Sequence, residues 1–193
     1  MNASNTRLLF PLVLLSLVFT GCATNITRTE GPPAPPTSPL TGYNRLVLLE
    51  TTLAPEYAEH EANQAAAAKI HENLVAKLEQ SEPSLETAAT AEAVDPAPAE
   101  GTLLIAPQVK EVKFIGGAAR FWAGALAGSS AVYMQVVFTD AASGEVVANP
   151  EFYQHANAYA GAYSFGGADN AMLARIASLI HDYVVKYRSP ESP

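Results

Sequence analysis

The chain has 193 residues, with 11 Lys and Arg against 19 Asp and Glu, for a formal net charge of −8. That length suits one domain with tails, and so acidic a chain is a poor binder of phosphate backbones, which excludes nucleic acid as the main partner. A hydrophobic fraction of 49% supports a packed core, while the single cysteine excludes an internal disulfide and a cysteine-based zinc cluster.

Residues 1–21 read as an export signal. Arg7 supplies the positive start, and Leu8 to Phe19 form an apolar run of 12 residues, short of the roughly 20 needed to span a bilayer. Thr20-Gly21 then precede Cys22. A small residue before a lone cysteine at the end of such a run resembles the bacterial lipobox. That resemblance implies cleavage after Gly21 and acylation of Cys22, with palmitate among the chains. Two or three acyl chains, at about 0.8 kcal/mol per buried methylene, make a durable membrane anchor. Ala23 stands where an Asp would resemble an inner-membrane retention signal, so the expected place is the outer membrane, facing the periplasm.

Residues 22–41 carry the Pro32-Pro33-Ala34-Pro35-Pro36 run and Pro39. Such a segment favours extended polyproline conformations and reads as a tether holding the domain off the lipid surface. One α/β domain is expected over 42–188, followed by a disordered tail at 189–193.

Arg45 to Leu49 form a short apolar run, expected as a strand buried on both faces. Pro55 suits the start of a helix that continues to about Glu79, with Glu56, Glu59 and Glu61 near its positive end. Ile70, Leu74, Val75 and Leu78 give it an apolar face. From about 81 to 100 the sequence carries Glu82, Glu86, Glu92, Asp95 and Glu100 with no basic residue, punctuated by Pro83, Pro96 and Pro98. This stretch reads as a mobile acidic insert.

Residues 103–114 give a second strand, broken near Pro107 at an edge or bulge. Ala131–Asp140 give a third, rich in β-branched and aromatic residues. Gly144 is available for positive φ in the turn that follows. A fourth strand, interrupted by Pro150, covers 145–158. The last helix is expected over 169–187, with an apolar stripe at Met172, Ile176, Leu179, Ile180, Tyr183, Val184 and Tyr187. The order β-α-β-β-β-α implies an α+β domain: a single mixed or antiparallel four-stranded sheet with two helices on one face.

Catalytic signatures are sparse. His60-Glu61 and His71-Glu72 each open like HExxH, but the second histidine is replaced by Gln64 and Val75. Ala162-Tyr163-Ser164-Phe165-Gly166 imitates a nucleophile elbow, yet His181 and Asp182 are helix neighbours pointing about 100° apart and are not expected to pair as base and orienter. No catalytic residue, metal site or cofactor is therefore assigned, and the protein is expected not to be an enzyme. The stretch from Ile115 to Ser129 is long, rich in small residues and holds the only tryptophan. Arg120, Phe121, Trp122, Gly124 and Gly128 are the candidate interaction residues, since Trp and Arg anchor interfaces and spaced glycines let backbones approach.

Phe114, Gly116, Arg120, Gly124, Gly128, Asp140, Gly144, Gly166 and Gly167, followed by the helix to Tyr187, give a spacing that resembles a bacterial family, the domain of unknown function 4410. The resemblance covers about 43–187 and carries no established activity. The resulting expectation is a non-catalytic envelope lipoprotein, a structural, assembly or protein-interaction module that binds an envelope protein or itself. The alternative is a periplasmic module binding a small ligand, glycan or lipid.

Overall fold

The ten residues Ala131–Asp140 form the longest ladder among the described residues, pairing antiparallel with Leu103–Lys113 along their full length. In a computed structural model the described residues are 26, 31–94, 100–115, 129–156 and 167–189. The elements are β1 (Arg45–Leu49), β2 (Thr52–Leu53), α1 (Glu61–Ser81), β3 (Leu85–Ala88), β4 (Thr102–Lys113), β5 (Ala131–Asp140), β6 (Val146–Ala148), β7 (Glu151–His155) and α2 (Gly167–Arg188). Pro55–Tyr57 make a 3-10 turn, so the first helix starts at Glu61 rather than at the proline.

The sheet is mixed and has seven strands rather than the four expected. Across it run β3, β1, β4, β5 and β6, with β1 parallel to both neighbours and the β4–β5–β6 portion antiparallel. β2 continues along the β1 edge of β4, and β7 along the β6 edge of β5. Pro150 separates β6 from β7, as its missing N–H requires.

Pro107 does not break β4. It sits opposite Val136, and on the other edge it lies where β1 has ended at Ile105 and β2 has not begun at Gln108. A residue without an N–H is tolerated there because no ladder donor is required. The irregularity comes three residues later, where Lys110 is the extra residue between Val109↔Met134 and Glu111↔Tyr133. This bulge changes the phase of the strand. Leu103, Ile105 and Val109 face the core before it, and Val112 does so after it.

Both helices cover the same face of the sheet. Ile70, Leu74 and Leu78 of α1 and Met172, Ile176, Ile180 and Val184 of α2 are fully buried against Leu46, Leu48, Ile105, Met134, Val136 and Phe138. Each such side chain contributes about 1.5–3 kcal/mol of transfer free energy. On the opposite face, Val47, Val94 and Leu104 form a small cluster.

Two expectations about chain organisation are corrected. The acidic stretch is not an unstructured insert, because Leu85–Ala88 pair in parallel with Leu46–Leu49 as the outermost strand. Two of its five charges are also opposed: Glu86 is bound by Arg45 and Glu82 by Arg188. Those partners lie 41 and 106 positions away, beyond the reach of a local reading. Residues 95–99 lie outside the described residues. The proline-rich segment is not a free spacer either. Leu40 is fully buried in the core, Thr37 N and Oγ1 both donate to Val147 O at 2.8 and 2.9 Å, and Tyr183 Oη donates to Ala34 O at 3.0 Å. It straps the β6 edge, which otherwise presents unpaired backbone groups.

Candidate functional site

The candidate interaction stretch is built on the end of the sheet where β4 stops and β5 starts. Lys113 pairs with Ala131, and Ala131 pairs in turn with His155 at the end of β7. Ser130 locks this end. Its fully buried hydroxyl accepts the Ile115 N–H at 2.9 Å, and its carbonyl accepts the Ala156 N–H at 2.8 Å. One serine thus closes the base of the 115–129 connection and ties it to the strand that leads into the second glycine-rich stretch. Ile115 and Ala156, 41 positions apart in sequence, therefore stand at one end of the scaffold. Arg175 of α2 donates from Nη2 to His155 O at 3.3 Å, which holds the helix to the same end.

Arg120, Phe121, Trp122, Gly124 and Gly128 themselves lie outside the described residues, as do Cys22 and Ser164. What the structure adds is the geometry of the base from which the first five depart. Sequence reading missed Ser130 there; a serine flanking an apolar strand gives no local signal that its hydroxyl will be buried against a backbone N–H fifteen positions away.

A second feature of this end comes from the far N-terminal region. Ile26 is buried on the sheet face opposite the helices, against Ala131, Tyr133 and Tyr153, and Tyr153 Oη donates to Ile26 O at 2.9 Å. Tyr133 and Tyr153 are cross-strand partners, so one pair of tyrosines forms the seat for this residue.

The opposite end of β5 is a closed polar turn. Asp140 Oδ1 accepts from Ala142 N, Ser143 N and Ser143 Oγ at 3.0, 2.9 and 3.1 Å, while Oδ2 accepts from Tyr43 Oη at 3.1 Å. The Ser143 backbone bond leads in holding the Asp140 carboxyl below its ordinary range. Gly144 takes φ 74° and donates its N–H to Asp140 O at 2.8 Å, which is the positive φ expected of it. Burial, reinforced by the Asp140 bond, pushes the Tyr43 hydroxyl up. These groups stabilise a turn and present no reacting atom.

The histidines are equally structural in setting. His60 precedes the first residue of α1, and His71 lies on the helix with Nδ1 at 3.4 Å from Thr51 Oγ1. Burial pushes His71 down, partly offset by Glu50. His181 and Asp182 do pair, Nδ1 to Oδ1 at 3.0 Å, contrary to the expectation from helical phase. The contact lies at the surface, and Asp182 remains 72% exposed. Among the described residues, no group of three or more His, Cys, Asp or Glu is placed to hold a metal ion. No helix among them is long and apolar enough to cross a membrane.

No family model matches the chain, and no curated protein matches it. Among solved structures, the chain is similar to the PelC dodecamer from Paraburkholderia phytofirmans, at 14% identity over 77% of this chain and 94% of that one, with a TM-score of 0.46. A structure described as a homolog of a neuraminyllactose-binding hemagglutinin, from Helicobacter pylori, is 12% identical over 84% of this chain and 91% of that one, with a TM-score of 0.42. A protein described as a lipoprotein, from Caulobacter crescentus CB15, is 16% identical over 71% of this chain and 88% of that one, with a TM-score of 0.36. At these identities and scores the likenesses assign no role to any residue.

Proposed function

We propose that the protein is a non-catalytic envelope lipoprotein, anchored through Cys22 in the outer membrane and facing the periplasm, where it binds another envelope protein or itself. The observation that carries this reading is the lone cysteine closing a 12-residue apolar run behind Gly21. The placing of Ile115, Ser130 and Ala156 together at one end of the sheet supports the second half, since the candidate interaction residues lie between Ile115 and Ser130 in sequence. The likeness to the domain of unknown function 4410 rests on sequence spacing and assigns no activity.

Two measurements test it. Cys22→Ser should abolish palmitate incorporation and release the protein into the soluble periplasm; unchanged membrane retention would sink the anchor. Arg120→Ala and Trp122→Ala should each weaken self-association or retention of a partner from detergent-solubilised envelopes by about 2 kcal/mol or more, roughly thirtyfold, with the melting temperature preserved. A loss of about 3–5 kcal/mol in stability for Trp122→Ala, without a separate binding defect, would identify a core-packed connector instead.

A further inference from the structure

The docking of Ile26 constrains how the domain meets the membrane. Cys22 precedes Ile26 by four residues, and each residue spans at most about 3.6 Å, so their Cα atoms lie within about 14 Å of each other. Ile26 is itself fixed: its carbonyl is held by Tyr153, and its side chain is 6% exposed against Ala131, Tyr133 and Tyr153. The reach from the lipid to the domain is therefore set by those four residues and not by the whole proline-rich segment up to Thr41. That segment has been spent on the fold, with Ala34, Thr37 and Leu40 bound to α2, β6 and the core.

We infer that the Ser130 end of the sheet, with Ile26 seated on its tyrosine pair, is the membrane-apposed surface of the protein, and that its partner there is the lipid headgroup layer. This rests on the lipidation of Cys22. The Asp140 turn stands at the other end of β5, nine residues away, or about 30 Å at the rise of an extended strand. A domain held by a leash of at most about 14 Å at one end cannot present both ends equally to the bilayer. Because Ile115 and Ser129 stand at the same end, the connection between them starts and finishes on the membrane side, which distinguishes this arrangement from a module displayed out into the periplasm on a spacer.

The test uses the full lipidated chain reconstituted in phosphatidylethanolamine–phosphatidylglycerol vesicles, with palmitate incorporation measured in the same sample. A fluorophore is placed at Lys113→Cys, on the Ser130 end, or at Ala142→Cys, in the exposed turn at the other end; acylated Cys22 has no free thiol to compete. A headgroup-attached quencher should quench the Lys113 position at least threefold more than the Ala142 position. Inserting 20 Gly/Ser residues between Ala23 and Ile26 lengthens the leash by about 25 Å and should bring the two positions to within a factor of 1.5 without changing palmitate incorporation. Ile26→Asp, which places a charge on the apolar seat at Ala131, Tyr133 and Tyr153, should reduce the difference in the same direction. Equal quenching at the two positions in a palmitate-labelled chain, or stronger quenching at Ala142, overturns the inference while leaving lipidation intact. Absence of palmitate removes the lipidation reading and the inference together.

Discussion

Arg45 holds Glu86 through two hydrogen bonds, Nε to Oε1 at 2.8 Å and Nη2 to Oε2 at 2.7 Å, and so ties the outermost strand of the sheet to its neighbour. With Glu86 half exposed, solvent screens the pair and its energetic contribution is small. Its geometric effect is larger. It fixes the parallel register Leu46↔Leu85 to Leu49↔Ala88, which brings Val94 under the sheet against Val47 and Leu104.

The 84–94 segment is therefore part of the folded unit. Replacing it with a Gly/Ser linker should remove the Leu85 and Val94 packing, about 3 kcal/mol, along with the Arg45 contact. At roughly 2–4 °C per kcal/mol for a chain of this size, the melting temperature should fall by about 6–12 °C. A calorimetric midpoint that stays within 2 °C of the parent would show that the strand is dispensable.

The strap gives a second expectation. Tyr183 packs at 5.5 Å from Phe138 and 4.7 Å from Tyr187, ring centroid to centroid, and its hydroxyl reaches Ala34 O. Tyr183→Phe keeps the ring and should cost only about 1 kcal/mol globally, but it should accelerate hydrogen exchange at the Thr37 amide. Leu40→Ala should cost about 2–5 kcal/mol, because that side chain is wholly buried. Unchanged Thr37 exchange in Tyr183→Phe would mean that the hydroxyl does not hold the strap.

Two residues act in separate pH windows. The Asp140 carboxyl is held below its ordinary value of 3.8 by the Ser143, Tyr43 and Ala142 bonds. Its contribution is present above that value and is lost as pH falls through the lower folded pKa. The stability gap between the wild type and Asp140→Asn should thus be widest near neutrality and narrow as pH falls below 3.8. Burial depresses His71 below 6.5, so protonating it favours the unfolded chain. Stability should begin to fall as pH drops below about 6.5, and His71→Gln should flatten that part of the curve. Parallel urea midpoints from pH 7 to 2.5 read both.

Ser130→Ala should leave the partly buried Ile115 N–H without its acceptor, at a cost of about 1 kcal/mol. The urea midpoint should fall at unchanged slope. Exchange at Ile115 should rise by more than the global change accounts for. Exchange that tracks global unfolding alone would assign the hydroxyl no local role at the base of the 115–129 connection.

Local pattern determined much of the scaffold. The apolar run at 45–49, the β-branched and aromatic run at 131–140, the apolar stripe of α2 and the left-handed Gly144 each carry their structure in neighbouring residues. The candidate interaction residues were legible only as composition, and Cys22 only as a motif.

Tertiary structure decided the rest, because the deciding partners are remote in sequence. Leu85-Glu86-Thr87-Ala88 has no strand pattern of its own and becomes a strand through the free edge of β1 and the reach of Arg45. Lys110 is a bulge only because Val112 must return to the core after Val109. The proline-rich segment reads as a spacer until Val147 O, Tyr183 Oη and the pocket for Leu40 are brought beside it. Sequence periodicity reports which face of an element is apolar; which backbone edge, hydroxyl or charge is left needing a partner exists only once the sheet has assembled.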